Sequence, residues 1–289
     1  MPWIGVYSIM KTAPVNRIIP FSNVDGPGNR CAVFFQGCPF NCLFCHNPET
    51  IHLCRHCGTC VSSCPTGALS LSPEGTVVWN KAACVQCDTC LKVCPHGASP
   101  RVRWMSVEEV MPEIRRCAPY INGVTTSGGE CTLYNEFLID LFTQVRGLGK
   151  TCLIDSNGSF DFEKDPRVLA VSEGVMLDVK ATEPDWSRRL IGRDPDLVLK
   201  NLSYLLSVGK LYEVRTVLFP GRDKENEETV RTVSERIFPD TRYKLIRYRP
   251  YGVREKYKQE LGETEAELSY AEHFVELAHS LGAKNAFVL

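Results

Sequence analysis

Cys31-Ala32-Val33-Phe34-Phe35-Gln36-Gly37-Cys38-Pro39-Phe40-Asn41-Cys42-Leu43-Phe44-Cys45 is the stretch on which the fold turns. Residues 31–36 are short, apolar and rich in β-formers, which predicts a strand. The strand runs directly into Cys38, Cys42 and Cys45, spaced C-x3-C-x2-C with no fourth cysteine nearby. Three thiolates leave one iron of a cubane open, and an open metal position can bind a substrate or cofactor where a structural site is closed. A fourth ligand from His46 or Asp25 would instead give a closed cluster or a zinc site.

Outward from this stretch, short apolar runs alternate with helical patterns. Further strands are expected at residues 123–126, 152–155, 175–179, 213–218 and 244–247. Between them, Ser106 with Glu109 forms a capping box, Asn135 precedes an apolar stripe, and other helices stop at Gly209 and near Gly282. Repeated βα units imply a parallel sheet, open or closed into a barrel, with ligands at the C-terminal strand ends.

Residues 51–99 break this pattern and read as an insertion into a discontinuous domain of residues 1–50 and 100–289. The insert holds two copies of C-x2-C-x2-C-x3-C-P, 30 residues apart: Cys54, Cys57, Cys60, Cys64 and Cys84, Cys87, Cys90, Cys94. In the bacterial ferredoxin run, three thiolates hold one [4Fe-4S] cluster and the fourth crosses to the other. That pattern assigns Cys54, Cys57, Cys60 and Cys94 to one cluster, and Cys84, Cys87, Cys90 and Cys64 to the second. Zinc is the alternative occupant of C-x2-C pairs.

The chain has 289 residues, a formal net charge of −1 and fifteen cysteines. Its charge argues against nucleic acid, no apolar run is long enough to span a bilayer, and the first twelve residues lack a leader pattern. The expected address is the cytoplasm, where such cysteines are metal ligands rather than a disulfide framework. Cys31, Cys117, Cys131 and Cys152 fit none of the spacings and read as packing residues.

With Phe44 before its last cysteine, the Cys38–Cys45 motif resembles the radical S-adenosylmethionine (SAM) signature. The resemblance implies a partial (β/α)6 barrel carrying the ferredoxin-like insert. It also implies that SAM chelates the open iron, and that an electron from the reduced cluster cleaves its sulfonium to a 5′-deoxyadenosyl radical. Ser127-Gly128-Gly129-Glu130 ends the second expected strand, where glycines admit a ligand to the backbone and a carboxylate can receive an ammonium. Alone it could be a turn; within this superfamily it would meet the SAM amino group. Phe44 would lie near adenine, unless it is simply core.

Asn23-Val24-Asp25-Gly26-Pro27-Gly28-Asn29-Arg30 is similar to the VDGPG-x-R segment of glycyl radical enzyme activating enzymes. The resemblance implies a client protein whose glycine-bearing peptide lies on Asp25, Gly26, Pro27, Gly28 and Arg30. It continues through Asp155-Ser156-Asn157-Gly158, Leu177-Asp178-Val179-Lys180 and the segment from Arg215 to Gly221. By that likeness Asp155 and Asp178 would hold a monovalent cation (Na+ or K+) that keeps two carboxylates from repelling the cofactor. Ser156, Lys180 and Arg215 would contact SAM, although Lys180 and Arg215 could equally form an ion pair at a barrel rim. Where many activating enzymes carry Tyr-His-x-x-Gly, this chain has Tyr248-Arg249-Pro250-Tyr251-Gly252, and Arg249 would take the SAM carboxylate.

The insert, with Val77-Val78-Trp79-Asn80 and the segment from Cys87 to Lys92, most resembles the YjjW group. No catalytic side chain is implied beyond three [4Fe-4S] clusters and SAM. The implied partners are a separately encoded glycyl radical enzyme and a flavodoxin or ferredoxin-type electron donor, with the chain a monomer and the insert either relaying electrons or docking. A small-molecule or peptide client, and a three-cluster electron carrier without SAM chemistry, are the competing readings.

Overall fold

The computed structural model describes residues 12–289; residues 1–11, part of the stretch read as lacking a leader, lie outside the described residues. The strands are β1 (Thr12–Ser22), β2 (Arg30–Phe35), β3 (Leu69–Leu71), β4 (Val77–Trp79), β5 (Arg103–Ser106), β6 (Gly123–Gly128), β7 (Thr151–Ser156), β8 (Gly174–Asp178), β9 (Leu211–Leu218), β10 (Arg242–Arg247) and β11 (Ala286–Val288). The helices are α1 (Thr89–Lys92), α2 (Val107–Cys117), α3 (Asn135–Arg146), α4 (Arg167–Ala170), α5 (Pro184–Ile191), α6 (Asp196–Ser207), α7 (Asp223–Ser234), α8 (Glu255–Leu261) and α9 (Leu268–Ser280). Nine strands form one sheet in the order β11-β10-β9-β8-β7-β6-β2-β1-β5. The seven strands from β11 to β2 are parallel and β1 is antiparallel to both neighbours. With β11 and β5 as its two edges, the sheet is open.

All six expected strands fall in this parallel run. Their buried residues combine apolar side chains, as in Val124, Ile154, Val175, Leu177, Val214 and Leu245, with polar ones such as Thr125, Thr126, Glu213 and Arg215, so both faces are covered by the rest of the chain. β1 escaped the sequence reading because Pro14 and Pro20 read against a strand; its pairing with β2 is irregular between Ile19 and Ser22, where Pro20 sits. The capping box forms at α2, with Ser106 N donating to Glu109 Oε2 at 2.8 Å, and Val107, Val110, Met111 and Ile114 face the core. Asn135 is the first residue of α3 rather than its cap, and its amide donates to Asp165 Oδ2 at 2.8 Å. α6 ends as expected: Gly209 takes φ +65 and Lys210 N returns to Leu205 O at 2.8 Å. Among the described residues no helix is long and apolar enough to cross a membrane.

Residues 51–99 leave and rejoin the sheet domain at one point, where Ser99 N donates to Glu49 O at 3.0 Å. Ends that meet let a segment be inserted without displacing what flanks it. The segment contains the β3–β4 hairpin and α1, more regular structure than its sequence suggested, and its own small core of Cys60, Leu69, Val77 and Cys90. The 30-residue repeat extends to the backbone: His56 and Gln86, Gly58 and Asp88, and Gly67 and Gly97 all have φ between 55° and 77°.

Candidate active site

Cys38, Cys42 and Cys45 follow the C-terminal end of β2, and backbone hydrogen bonds hold their loop on several sides. Cys38 N donates to Ile51 O at 2.9 Å, Asn41 N to Ile191 O at 3.0 Å and Leu43 N to Leu190 O at 2.9 Å, the last two at the end of α5. From the far edge of the sheet, Arg254 reaches Asn41 Oδ1 at 2.8 Å and Cys42 O at 3.0 Å, and His46 Nε2 meets Arg249 O at 3.0 Å. Asn157 Nδ2 donates to Cys38 Sγ at 3.4 Å. Neither Asn157 nor Arg254 was given a role from sequence; Asn157 lay within a quoted motif, while nothing local marked Arg254. Burial pushes the Cys42 thiol up to about 12, and it moves Cys38 and Cys45 the same way. Such thiols become thiolates only against a metal's positive charge.

The strand ends beside this loop carry a paired set of charges. Arg215 contacts Asp155 at 3.0 Å and Glu213 at 2.8 Å, and Lys180 contacts Asp178 at 2.5 Å. Ser127 Oγ donates to Asp155 Oδ2 at 2.9 Å. Burial pushes the Asp155 carboxyl up against the opposing pull of Arg215. For Lys180 burial opposes the charge, yet attraction to Asp178 and Cys42 outweighs it and holds the ammonium above its usual range. The carboxylates expected to share a monovalent cation are thus each neutralised by a side chain.

A model of the radical SAM superfamily matches residues 32–233. A Haemophilus influenzae protein carrying the provisional name glycyl-radical enzyme activating enzyme is 30% identical over 89% of this chain and 92% of its own length. The choline trimethylamine-lyase activating enzyme of Oleidesulfovibrio alaskensis is 32% identical over 87% of this chain and 88% of its own. The chain belongs to the radical SAM superfamily, among its glycyl radical enzyme activating enzymes. The fold agrees: Streptococcus suis SuiB bound to precursor peptide SuiA superimposes with a TM-score of 0.56 over 87% of this chain and 46% of that one, at 16% identity.

Within this activating enzyme several expected site residues are placed differently from their sequence reading. Glu130 is 1% exposed, and its carboxylate accepts from Thr132 N and Oγ1, Ser156 Oγ and Asn157 N at 2.6–3.2 Å. It therefore ties the β6 end to the β7 end instead of facing an ammonium. Burial pushes Glu130 above the usual carboxylate range, against those four donors.

Phe44 is core, edge-on to Phe219 with centroids 5.1 Å apart. Arg249 pairs through Nε with Glu265 Oε1 at 3.0 Å.

The Asp25–Gly28 loop lies at the N-terminal end of β2, the opposite end from Cys38, with Asp25 O accepting from Thr125 Oγ1 at 2.6 Å. Arg30 cannot touch a partner, because it is 1% exposed and donates to Thr125 Oγ1, Val124 O and Thr151 Oγ1 at 2.7–3.0 Å. Arg30→Ala would strand these acceptors on two neighbouring strands, β6 and β7, so it should cost on the order of 3 kcal/mol. Urea unfolding of the variant checks this; a loss well under 1 kcal/mol would show that Arg30 is not a scaffold residue.

In the insert the eight cysteines sort crosswise between the repeats. Cys54, Cys57, Cys60 and Cys94 line one cavity, and Cys64, Cys84, Cys87 and Cys90 line another. Thr59 and Thr89, at equivalent repeat positions, hydrogen-bond Cys57 and Cys87 and hold those thiols below their usual range. Trp79 Nε1, on the wall of the second cavity, is buried beside Cys84, whose thiol it helps hold below its usual range. Cys31, Cys117, Cys131 and Cys152 are buried.

Proposed function

We propose that the chain installs a radical on a backbone glycine of a separately encoded glycyl radical enzyme, with residues 51–99 forming a two-cluster ferredoxin-like domain that supplies electrons. The observation that carries the insert reading is the crosswise sorting of its eight cysteines around two cavities. Two further features fit a cubane in each. The left-handed residues His56 and Gln86 bring their backbone N–H groups to Cys54 and Cys84, as in anion-binding nests, and Trp79 Nε1 beside Cys84 suits a cluster sulfur.

In the main site, Cys38, Cys42 and Cys45 would hold the third cluster. When bound, that cluster and SAM supply reductive sulfonium cleavage and a hydrogen-abstracting 5′-deoxyadenosyl radical. The Gly128 and Gly129 backbone would orient SAM, with Lys180 and Arg215 fixing the Asp178 and Asp155 carboxylates beside it, while Asn157 and Arg254 keep the cysteine loop in register. Phe44, Phe219 and Trp186 pack behind it and exclude water. The donor set at Asp155 and Asp178 does not fit a monovalent cation, since Arg215 and Lys180 already occupy both carboxylates; no step passes through one. A flavodoxin or ferredoxin-type donor, a monomeric state, a cytoplasmic address and membership of the YjjW group complete the reading.

The test is iron content beside activity. Cys57→Ala/Cys60→Ala should lower iron from about twelve to about eight per chain. It should still form 5′-deoxyadenosine under dithionite and lose most of that rate with a flavodoxin donor. Full activity with flavodoxin would end the relay idea and favour docking.

A further inference from the structure

Beside the insert lies a groove of about 540 Å³, with β1 and α2 on one wall and the insert on the other. Arg17, Lys81, Arg101, Arg103 and Arg116 line it, against Glu49 and Glu113. That local excess of positive charge stands out in a chain whose net charge is −1. Arg101 is paired with Asp88 at 2.6 Å and Arg116 with Glu113 at 2.5 Å. Arg17, Lys81 and Arg103 are exposed and make no ion pair among the described residues. Cys84, Trp79 and Arg101 line both this groove and the cavity of Cys64, Cys84, Cys87 and Cys90. The basic surface and the second cysteine nest thus share a wall.

The first nest faces the other way along the chain. Cys54 follows closely on Ile51, whose carbonyl accepts from Cys38 N at 2.9 Å, so that nest is tied to the catalytic loop. The second nest is the one that reaches the groove.

We propose that this groove is the docking face for a small acidic one-electron carrier protein, seated with its redox group against Cys84. The proposal rests on the two-cluster reading of the insert. One electron leaves the reduced carrier and is taken up by the cluster that the Cys84 nest would hold, with no bond broken and no proton moved. Complementary charge steers such an encounter and fixes its register. The patch is compact rather than a stripe along a helix or face, which disfavours nucleic acid.

The experiment measures binding of an acidic flavodoxin to the anaerobically loaded full chain. Lys81→Glu/Arg103→Glu should weaken binding by on the order of tenfold at low ionic strength, and the difference should shrink as salt is raised. Glu113→Gln should tighten it severalfold. Both variants should keep wild-type iron content and dithionite-driven 5′-deoxyadenosine formation, which reports that they fold. Unchanged flavodoxin affinity in both variants, with iron intact, overturns the groove. Iron near four per wild-type chain would instead overturn the two-cluster reading, and the affinity comparison would still decide the groove.

Discussion

Replacing Cys38, Cys42 and Cys45 together by alanine should abolish 5′-deoxyadenosine formation while lowering iron only from about twelve to about eight per chain. The loss should be complete because nothing nearby can stand in as a ligand. Cys131 is fully buried with its thiol directed at Thr126 O and Asp155 O, and His46 is engaged with the Arg249 carbonyl. The loop itself should survive. Its backbone is held by Ile51, Leu190 and Ile191 and by Arg254, none of which depends on the three thiols. Iron analysis, 5′-deoxyadenosine assay and the EPR spectrum of the remaining clusters separate the outcomes. Turnover by the triple variant would remove the site from Cys38–Cys45 altogether, and no turnover by fully loaded wild type would favour an electron carrier.

Gly129→Ala should be among the most damaging single substitutions outside the cysteines. A Cβ there would stand 2.2 Å from Gly37 O and 2.9 Å from Thr50 O, both backbone atoms that cannot swing aside. The same three strands of chain are laced together by Gly129 N to Phe35 O, Glu130 N to Gly37 O and Gly37 N to Thr50 O, at 2.7–2.8 Å. Relieving the clash therefore moves Gly37 and, one residue on, Cys38. Overpacking of this kind costs about 3 kcal/mol, a fall in Tm of roughly 6 °C or more, and it should raise the KM for SAM by more than about tenfold. Gly149→Ala is the control for the added atom: Gly149 takes a positive φ, +70, which Gly129 does not, and has nothing within 4 Å of that atom. It should cost only the left-handed backbone penalty of about 1 kcal/mol. Equal effects from the two variants would mean that close approach at Gly129 is not what the site requires.

The family relationship gives these experiments a common frame. Chains that resemble this one over most of their length are named as activating enzymes for different glycyl radical enzymes.

Much of the molecule follows from sequence alone, for a physical reason. Strand and helix periods, the Ser106 capping box, the Gly209 stop and the reach of a thiolate to a shared centre are all local, set by a few bonds along the chain. That is why six parallel strands and the crosswise sorting of eight insert cysteines could be read from spacing. The partners of charged groups are another matter. Arg30 finds Thr151 from a distant strand, Arg215 finds Asp155 across β8, Arg249 finds Glu265, and Glu130 collects donors from the loop after β7. Each of these was read as a ligand or partner contact because its local motif gives no sign of a competing neighbour. Strand order and register decide whether a charge faces a ligand or another side chain, and these exist only once the sheet is assembled.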